Sequence, residues 1–352
     1  MRIYTVYNSM TASLASRAMC HRLLRAWYQD KPSLLTRLLY PFSLVFHLIV
    51  DIRRLFYRWH LLSRCSFDVP VVVVGNITVG GTGKTPMVVY LVELLKRHGY
   101  RPGVVSRGYG GHANKPTVVD AQSEAKLVGD EALLIAKNTS VPVVVARKRC
   151  AAVKKILATT DCNVVISDDG LQHYAMQRDM EIAMIDGKRR LGNMYLLPAG
   201  PLREPVDRLR AVDAIVVTEG EAVNDEYAMQ LTPSGRLISV NDPAQTCMIS
   251  ALQNQSVHAV AGIAHPDRFF ATLSALGIEF DKQVYPDHHL YQANDFHFAG
   301  DNAIVMTEKD AVKCRSLALK NAWYLPVTAK LPSTFDEVVL KRLDEVIQRK
   351  GR

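Results

Sequence analysis

The run Val71-Val72-Val73-Val74-Gly75-Asn76-Ile77-Thr78-Val79-Gly80-Gly81-Thr82-Gly83-Lys84-Thr85 limits this chain more than any other stretch. Four valines after Pro70 suit a strand covered on both faces. Beyond Lys84, Met87, Val88, Leu91, Val92, Leu94 and Leu95 recur at helical spacing, and Gly99 supplies a stop. Gly80, Gly81 and Gly83, with Thr82 between them, let successive backbone N–H groups turn inward onto a phosphate chain. Lys84 then reaches the terminal phosphates, and the Thr85 hydroxyl is placed to ligate Mg²⁺. The pattern departs from G-x-x-x-x-G-K-[ST] at its first position, where Thr78 stands for Gly. The strand before it and the helix after it still read as a nucleoside-triphosphate site, with ATP and Mg²⁺ the expected ligands.

Strands alternating with helices continue downstream, at Val104–Ser106, Val141–Ala146, Asn163–Ser167, Ile182–Ile185 and Ala214–Val217. They predict an α/β fold built on a P-loop NTPase-like, doubly wound parallel sheet. At 352 residues a second unit is expected. A smaller α/β set follows, with strands near Leu237–Val240, Val257–Ile263, Ile304–Met306 and Trp323–Val327, and a closing helix over Phe335–Gln348. The expected division is residues 1–66 as an extension with basic amphipathic helices, 67–225 as the nucleotide-binding unit, and 226–352 as the smaller unit.

The net charge of +9 sits almost wholly in residues 1–66, where ten Lys or Arg face only Asp30 and Asp51. A basic chain ordinarily suggests nucleic acid, but here the arginines are interleaved with large apolar residues, and no nucleic-acid partner is expected. Leu38 to Val50 is uncharged but only 13 residues long and contains Pro41, short of the ~20 a crossing needs. Residues 33–62 therefore read as docking on a membrane surface, peripheral or shallowly inserted. A helical hairpin packed on the body and a single spanning segment are the alternatives. Six scattered cysteines with no C-x-x-C pair suit reduced thiols and give no metal site.

Asp168-Asp169, directly after Val164-Val165-Ile166-Ser167, places two carboxylates where Mg²⁺ beside a phosphate loop needs hard oxygen ligands. Asp130 and Glu131 are open between base, metal ligand and plain helix-start acids. Arg107, Arg149 and Arg203 sit beside Gly, Pro or turn residues, where a guanidinium can grip phosphate or remain a solvated charge. Asp287-His288-His289 offers a group for proton transfer. Thr307-Glu308-Lys309-Asp310 lacks the spacing of a guanine-reading N-K-x-D motif.

Taken together, the tracts Gly75-Asn76 with Gly80-Gly81-Thr82-Gly83-Lys84-Thr85, Ser106-Arg107-Gly108-Tyr109-Gly110, Gly129-Asp130-Glu131 and Asp168-Asp169-Gly170-Leu171-Gln172-His173 resemble the tetraacyldisaccharide 4′-kinase (lipid A 4′-kinase) family. Leu197-Pro198-Ala199-Gly200-Pro201-Leu202-Arg203-Glu204, Asp287-His288 and Thr307-Glu308-Lys309-Asp310-Ala311-Val312-Lys313 extend the likeness, which runs from about Trp27 to near Pro326. Residues 1–25 fall outside or at the edge of it and read as an extension. The resemblance implies transfer of the γ-phosphate of ATP to the 4′-hydroxyl of an acylated disaccharide lipid, on the cytoplasmic face of a bacterial inner membrane, by a monomer. It implies Asp130 as general base assisted by His288, with Lys84 and Thr85 on phosphate and Mg²⁺. Asp168, Asp169 and Gln172 then form a metal- and phosphate-orienting set, with Glu131 a further metal candidate. Arg107, Arg149 and Arg203 would lie near the reacting groups, and no role passes to His289. A P-loop kinase of another membrane metabolite and a non-enzymatic nucleotide switch remain competing readings.

Overall fold

The computed structural model describes residues 22–29 and 31–351; most of the expected N-terminal extension therefore lies outside the described residues. The first sheet has nine strands. In chain order it takes β1 (Val71–Gly75), β2 (Pro102–Ser106), β3 (Thr117–Val119), β4 (Val143–Val145), β5 (Val164–Asp168), β6 (Met180–Asp186), β7 (Ala214–Thr218) and β8 (Glu226–Pro233). The second sheet takes six, β9 (Arg236–Ser239), β10 (Thr246–Met248), β11 (Val257–Ala261), β12 (Asp281–Val284), β13 (Ala303–Thr307) and β14 (Ala322–Leu325). The chain then returns to the first sheet with β15 (Val327–Lys330).

The first sheet runs β15-β8-β7-β6-β1-β5-β2-β4-β3. Its centre is parallel, and only the two edge strands, β15 and β3, pair antiparallel. This is the doubly wound sheet expected, because β1, β5 and β6 are apolar on both faces and are covered on both sides. β1 lies between β5 and β6, so the order reverses at its carboxyl end, where such sheets bind ligands. Register completes the placement: Val74 pairs with Asp168, so the phosphate loop and the acidic pair leave adjacent strand ends together.

Two expectations about the C-terminal part are corrected. Trp323–Val327 is not one strand: Pro326, which has no N–H for a ladder, separates β14 from β15, and the two join different sheets. The break expected at residue 225 is displaced, because β8 pairs with β7 and β15 with β8. The closing helix (Ser333–Lys350) also buries Phe335, Val339 and Leu343 against the first sheet's core. Residues 236–325 alone carry the second sheet.

Over residues 33–62 the hairpin alternative does not hold: there is one continuous helix, α1 (Leu34–Arg58, 25 residues), with Pro41 inside it and Ser33 as N-cap. By length and composition α1 is sufficient to cross a membrane. Its burial is inverted relative to an ordinary surface helix: the buried residues are Thr36 and Ser43, and the Ser43 hydroxyl donates to the Leu196 carbonyl at 2.7 Å. Leu34, Leu38, Phe42, Val45, Leu48, Ile49, Ile52 and Phe56 face outward.

The cysteine expectation fails at one pair. Cys65 and Cys150, 85 residues apart, form a disulfide with Cα atoms 6.2 Å apart. Cys65 is held by a bridge to Met176, and Cys150 lies in the first turn of the helix Arg149–Thr159; nothing in their sequence spacing signals this meeting. Cys162, Cys247 and Cys314 are free thiols.

Candidate active site

The phosphate loop leaves β1 at Gly75 and enters α2 (Lys84–Arg97) through Gly83, which takes φ +78°. A side chain there would be strained, and a Cβ would meet Thr218 at 2.8 Å. Lys84 lies across the loop mouth, 3.5 Å from Asp169 and 3.4 Å from the Asn76 side-chain oxygen. Arg203 binds the same groups from the other side. Its guanidinium donates to both Asp169 oxygens at 3.3 Å, to Gln172 Oε1 at 3.1 Å, to Asn76 Oδ1 at 2.8 Å and to the Thr78 carbonyl at 3.0 Å.

The two neighbouring carboxylates consequently differ. Burial would raise Asp169, but Arg203 and then Lys84 hold it well below the usual carboxylate range. Burial, followed by the charges of Glu131 and Asp169, pushes Asp168 well above it. Asp168 Oδ2 accepts from the Ser106 hydroxyl at 3.1 Å, while its buried Oδ1 has no partner among the described residues. A buried hard oxygen with a lone pair to spare, beside a phosphate loop, fits a divalent cation. Asp168 suits that role. Gln172 does not point to it in this arrangement, since its amide donates to the Asn76 carbonyl and to Glu204, both at 2.9 Å, and accepts from Arg203.

Arg149 is neither solvated nor exposed to a reacting group. It is buried, and Nη2 donates to the Asp168 carbonyl at 2.8 Å while Nη1 reaches the Ala146 carbonyl at 3.4 Å. It braces the backbone of the acidic pair. Arg107 stands exposed at the carboxyl end of β2. Of these three arginines, Arg203 meets the cluster's side chains, while Arg149 meets the backbone carbonyls of Asp168 and Asp169.

The second group forms where the two sheets meet. α3 (Asp130–Thr139) opens with a buried Asp130, and the loop after β12 brings His288 to it. His288 Nδ1 lies 2.9 and 3.1 Å from the two Asp130 oxygens, although the residues are 158 apart in sequence. Asp130 Oδ1 also accepts from the Glu131 N–H at 2.9 Å. Burial would raise Asp130, but Lys309, then the hydrogen bond from His288, hold it well below the carboxylate range. Burial lowers His288, but the hydrogen bond to Asp130 and the charges of Asp130 and Asp287 together raise the imidazole. His288 takes φ +60° and Asp169 φ +47°, left-handed conformations that cost about 1–3 kcal/mol each. The Tyr109 ring covers His288 at 5.0 Å. His289 turns away, to Asp295 at 2.9 Å.

Sequence reasoning assigned no role to Asn76, Glu204 or Lys309. Asn76 joins Lys84 and Arg203 through one oxygen, and Glu204 seats Gln172 and the Tyr174 hydroxyl. Lys309 faces Glu131 at 3.2 Å, Asp287 at 3.4 Å and Asp130 at 3.8 Å. All three residues stand inside the tracts that carry the family resemblance, and their place there was the one available signal.

Comparison with known proteins agrees with this geometry. Residues 35–344 match the family model described as tetraacyldisaccharide-1-P 4′-kinase. A tetraacyldisaccharide 4′-kinase of Methylobacillus flagellatus is 46% identical, covering 93% of this chain and 97% of the relative. That of Aeromonas hydrophila is 50% identical over 91% of this chain and 96% of its own length. A crystal structure of LpxK from Aquifex aeolicus in complex with ATP superposes with a TM-score of 0.76 at 29% identity, covering 88% of this chain and all of that one.

Proposed function

Because this chain belongs to the tetraacyldisaccharide-1-P 4′-kinase family, we propose that it transfers the γ-phosphate of ATP to the 4′-hydroxyl of a tetraacyldisaccharide 1-phosphate, the lipid IVA-forming step of lipid A biosynthesis. The observation that carries the assignment of its chemistry is the Asp130–His288 contact across the seam between the sheets. Glu131, next to Asp130, acts electrostatically on Asp168, which ties this pair to the phosphate-loop cluster.

Phosphoryl transfer asks a protein mainly to position groups and neutralise charge. The N–H groups of Gly80 to Lys84 cradle the phosphate chain, and Lys84 and Arg203 face its terminal oxygens once the nucleotide displaces their contacts with Asp169. Asp168 and Thr85 would hold Mg²⁺, which supplies neutralisation of phosphate oxygens when bound. Asp130 accepts the proton of the acceptor hydroxyl as that oxygen bonds to the γ-phosphorus and the bond to the bridging oxygen breaks. His288, with its raised affinity for a proton, shares it through the 2.9 Å contact. Such base assistance contributes about 10²–10⁴-fold. Asn76 and Glu204 keep Arg203 and Gln172 in register, and Arg149 fixes the acidic turn.

The outward apolar face of α1, flanked by Arg37, Arg53, Arg54 and Arg58, supports a place on the cytoplasmic face of the inner membrane, where ATP and an acylated substrate meet. The test is transfer of label from γ-labelled ATP to a tetraacylated disaccharide 1-phosphate in detergent micelles. Wild type should label the lipid, and Lys84→Ala and Asp130→Ala should both abolish labelling. ATP turnover without lipid labelling would refute the kinase; labelling that survives Asp130→Ala would refute the choice of base.

A further inference from the structure

We propose that Lys309 is a positioning residue for phosphoryl transfer, a single ammonium that holds Asp130 and His288 together by gripping both sides of the seam between the two sheets. The proposal rests on the reading of Asp130 and His288 as the base pair.

Lys309 lies in the first turn of the helix Glu308–Cys314, and that turn is locked to the second sheet. The Thr307 hydroxyl accepts from the Asp310 N–H at 3.2 Å and donates to Asp310 Oδ2 at 2.6 Å. The same Oδ2 accepts from the Gly262 N–H at 2.9 Å, and Lys313 Nζ stands 2.8 Å from Asp310 Oδ1. The helix therefore moves only with β11 and β13. Lys309 and its neighbour Glu308 both reach out of that unit: Glu308 accepts from Asn138 Nδ2 on α3 at 2.9 Å, and Lys309 meets Glu131 and Asp130 at the start of α3.

The third partner of Lys309 shows what the grip is for. Asp287 Oδ1 lies 3.4 Å from Lys309 and accepts the His288 backbone N–H at 3.1 Å. His288 needs such a seat, because its φ of +60° is an unfavourable backbone state. One cation thus fixes Asp130 from the first unit and, through Asp287, the backbone of His288 from the second. A displacement of about 1 Å in such a pair costs about 10²-fold in rate.

A double-mutant cycle tests this with the full chain in micelles at saturating substrates. Lys309→Met should lower kcat about 10²-fold while KM for ATP changes by less than about threefold. In a His288→Ala background the same change should lower kcat by less than about threefold, since the pair it positions is already gone. An equal factor in both backgrounds, a loss carried by KM for ATP, or a kcat for Lys309→Met within about threefold of wild type would each overturn the proposal. Asp130→Asn and His288→Ala are measured alone beside it. If both keep wild-type kcat, it is the base reading that has failed, whatever Lys309→Met does. Should Lys309→Met not fold, Lys309→Gln, whose amide still donates to one carboxylate, takes its place in the cycle.

Discussion

Replacing Leu38, Phe42 and Leu48 together by serine should detach the protein from a bilayer without disturbing its fold. These side chains are 65%, 64% and 60% exposed, so each has roughly six-tenths of its apolar surface still in water. Full burial of a Leu or Phe is worth about 1.5–3 kcal/mol. Six-tenths of that, for three residues, is about 3–5 kcal/mol, or ~10²–10⁴-fold in partitioning. The assay is co-sedimentation with vesicles of mixed anionic and zwitterionic phospholipid, read as the lipid concentration for half-binding. Raising salt removes the arginine contribution and leaves the apolar part. Since α1 meets the body through Ser43, Tyr40, Phe46 and Tyr57, and not through the replaced residues, the thermal midpoint should move little. Half-binding within about threefold of wild type would show that this face is not what the bilayer covers and would refute the reasoning.

Arg203→Lys should lower kcat/KM about 10²–10³-fold, because one ammonium cannot reproduce a fork that meets Asp169, Gln172 and Asn76 at once; steady-state kinetics decides it. Phe335→Ala empties a fully buried site against Tyr90 and Tyr227 and should cost about 3–5 kcal/mol, seen as a lower denaturant midpoint. Cys65 and Cys150 should resist alkylation of the denatured, unreduced chain and be labelled after reductant is added, by mass spectrometry.

What the sequence made legible was local. A strand, a glycine turn and a helix stand consecutively from Val71 to Arg97, and the acidic pair ends an apolar run, so both could be read where they stood. The outward apolar face of α1 could be read from arginines interleaved with large apolar residues; its unbroken length could not, because Pro41 inside it and the charges from Asp51 onward cut the uncharged run short. Contacts across long separations were also hidden. Lys309 reads as an ordinary helix-start lysine until α3 is seen beside it, and Cys65 has no local mark that Cys150 is its partner. The strand predicted over Trp323–Val327 failed for a smaller reason: two short strands in line look like one unless Pro326 is given its full weight. The burial of Arg149 could not be read either, because it follows from backbone carbonyls that only the folded end of β5 presents.

The return of β15 and the closing helix to the first sheet bears on how the chain is made. Synthesis runs from the N-terminus, and domains ordinarily fold as they emerge. Here β8 has no outer neighbour until Val327–Lys330 arrives, and Phe335, Val339 and Leu343 emerge only after the whole of the second sheet. Asp179, which accepts the Val71 N–H at the entry to β1, is itself met by Arg349 and Lys350. The nucleotide-binding unit is therefore begun before residues 236–325 and completed only after them, with that whole segment threaded between its two parts. A ribosome that stalls anywhere in that insert releases a phosphate loop on an open-edged sheet, a product for proteases and not a slower kinase.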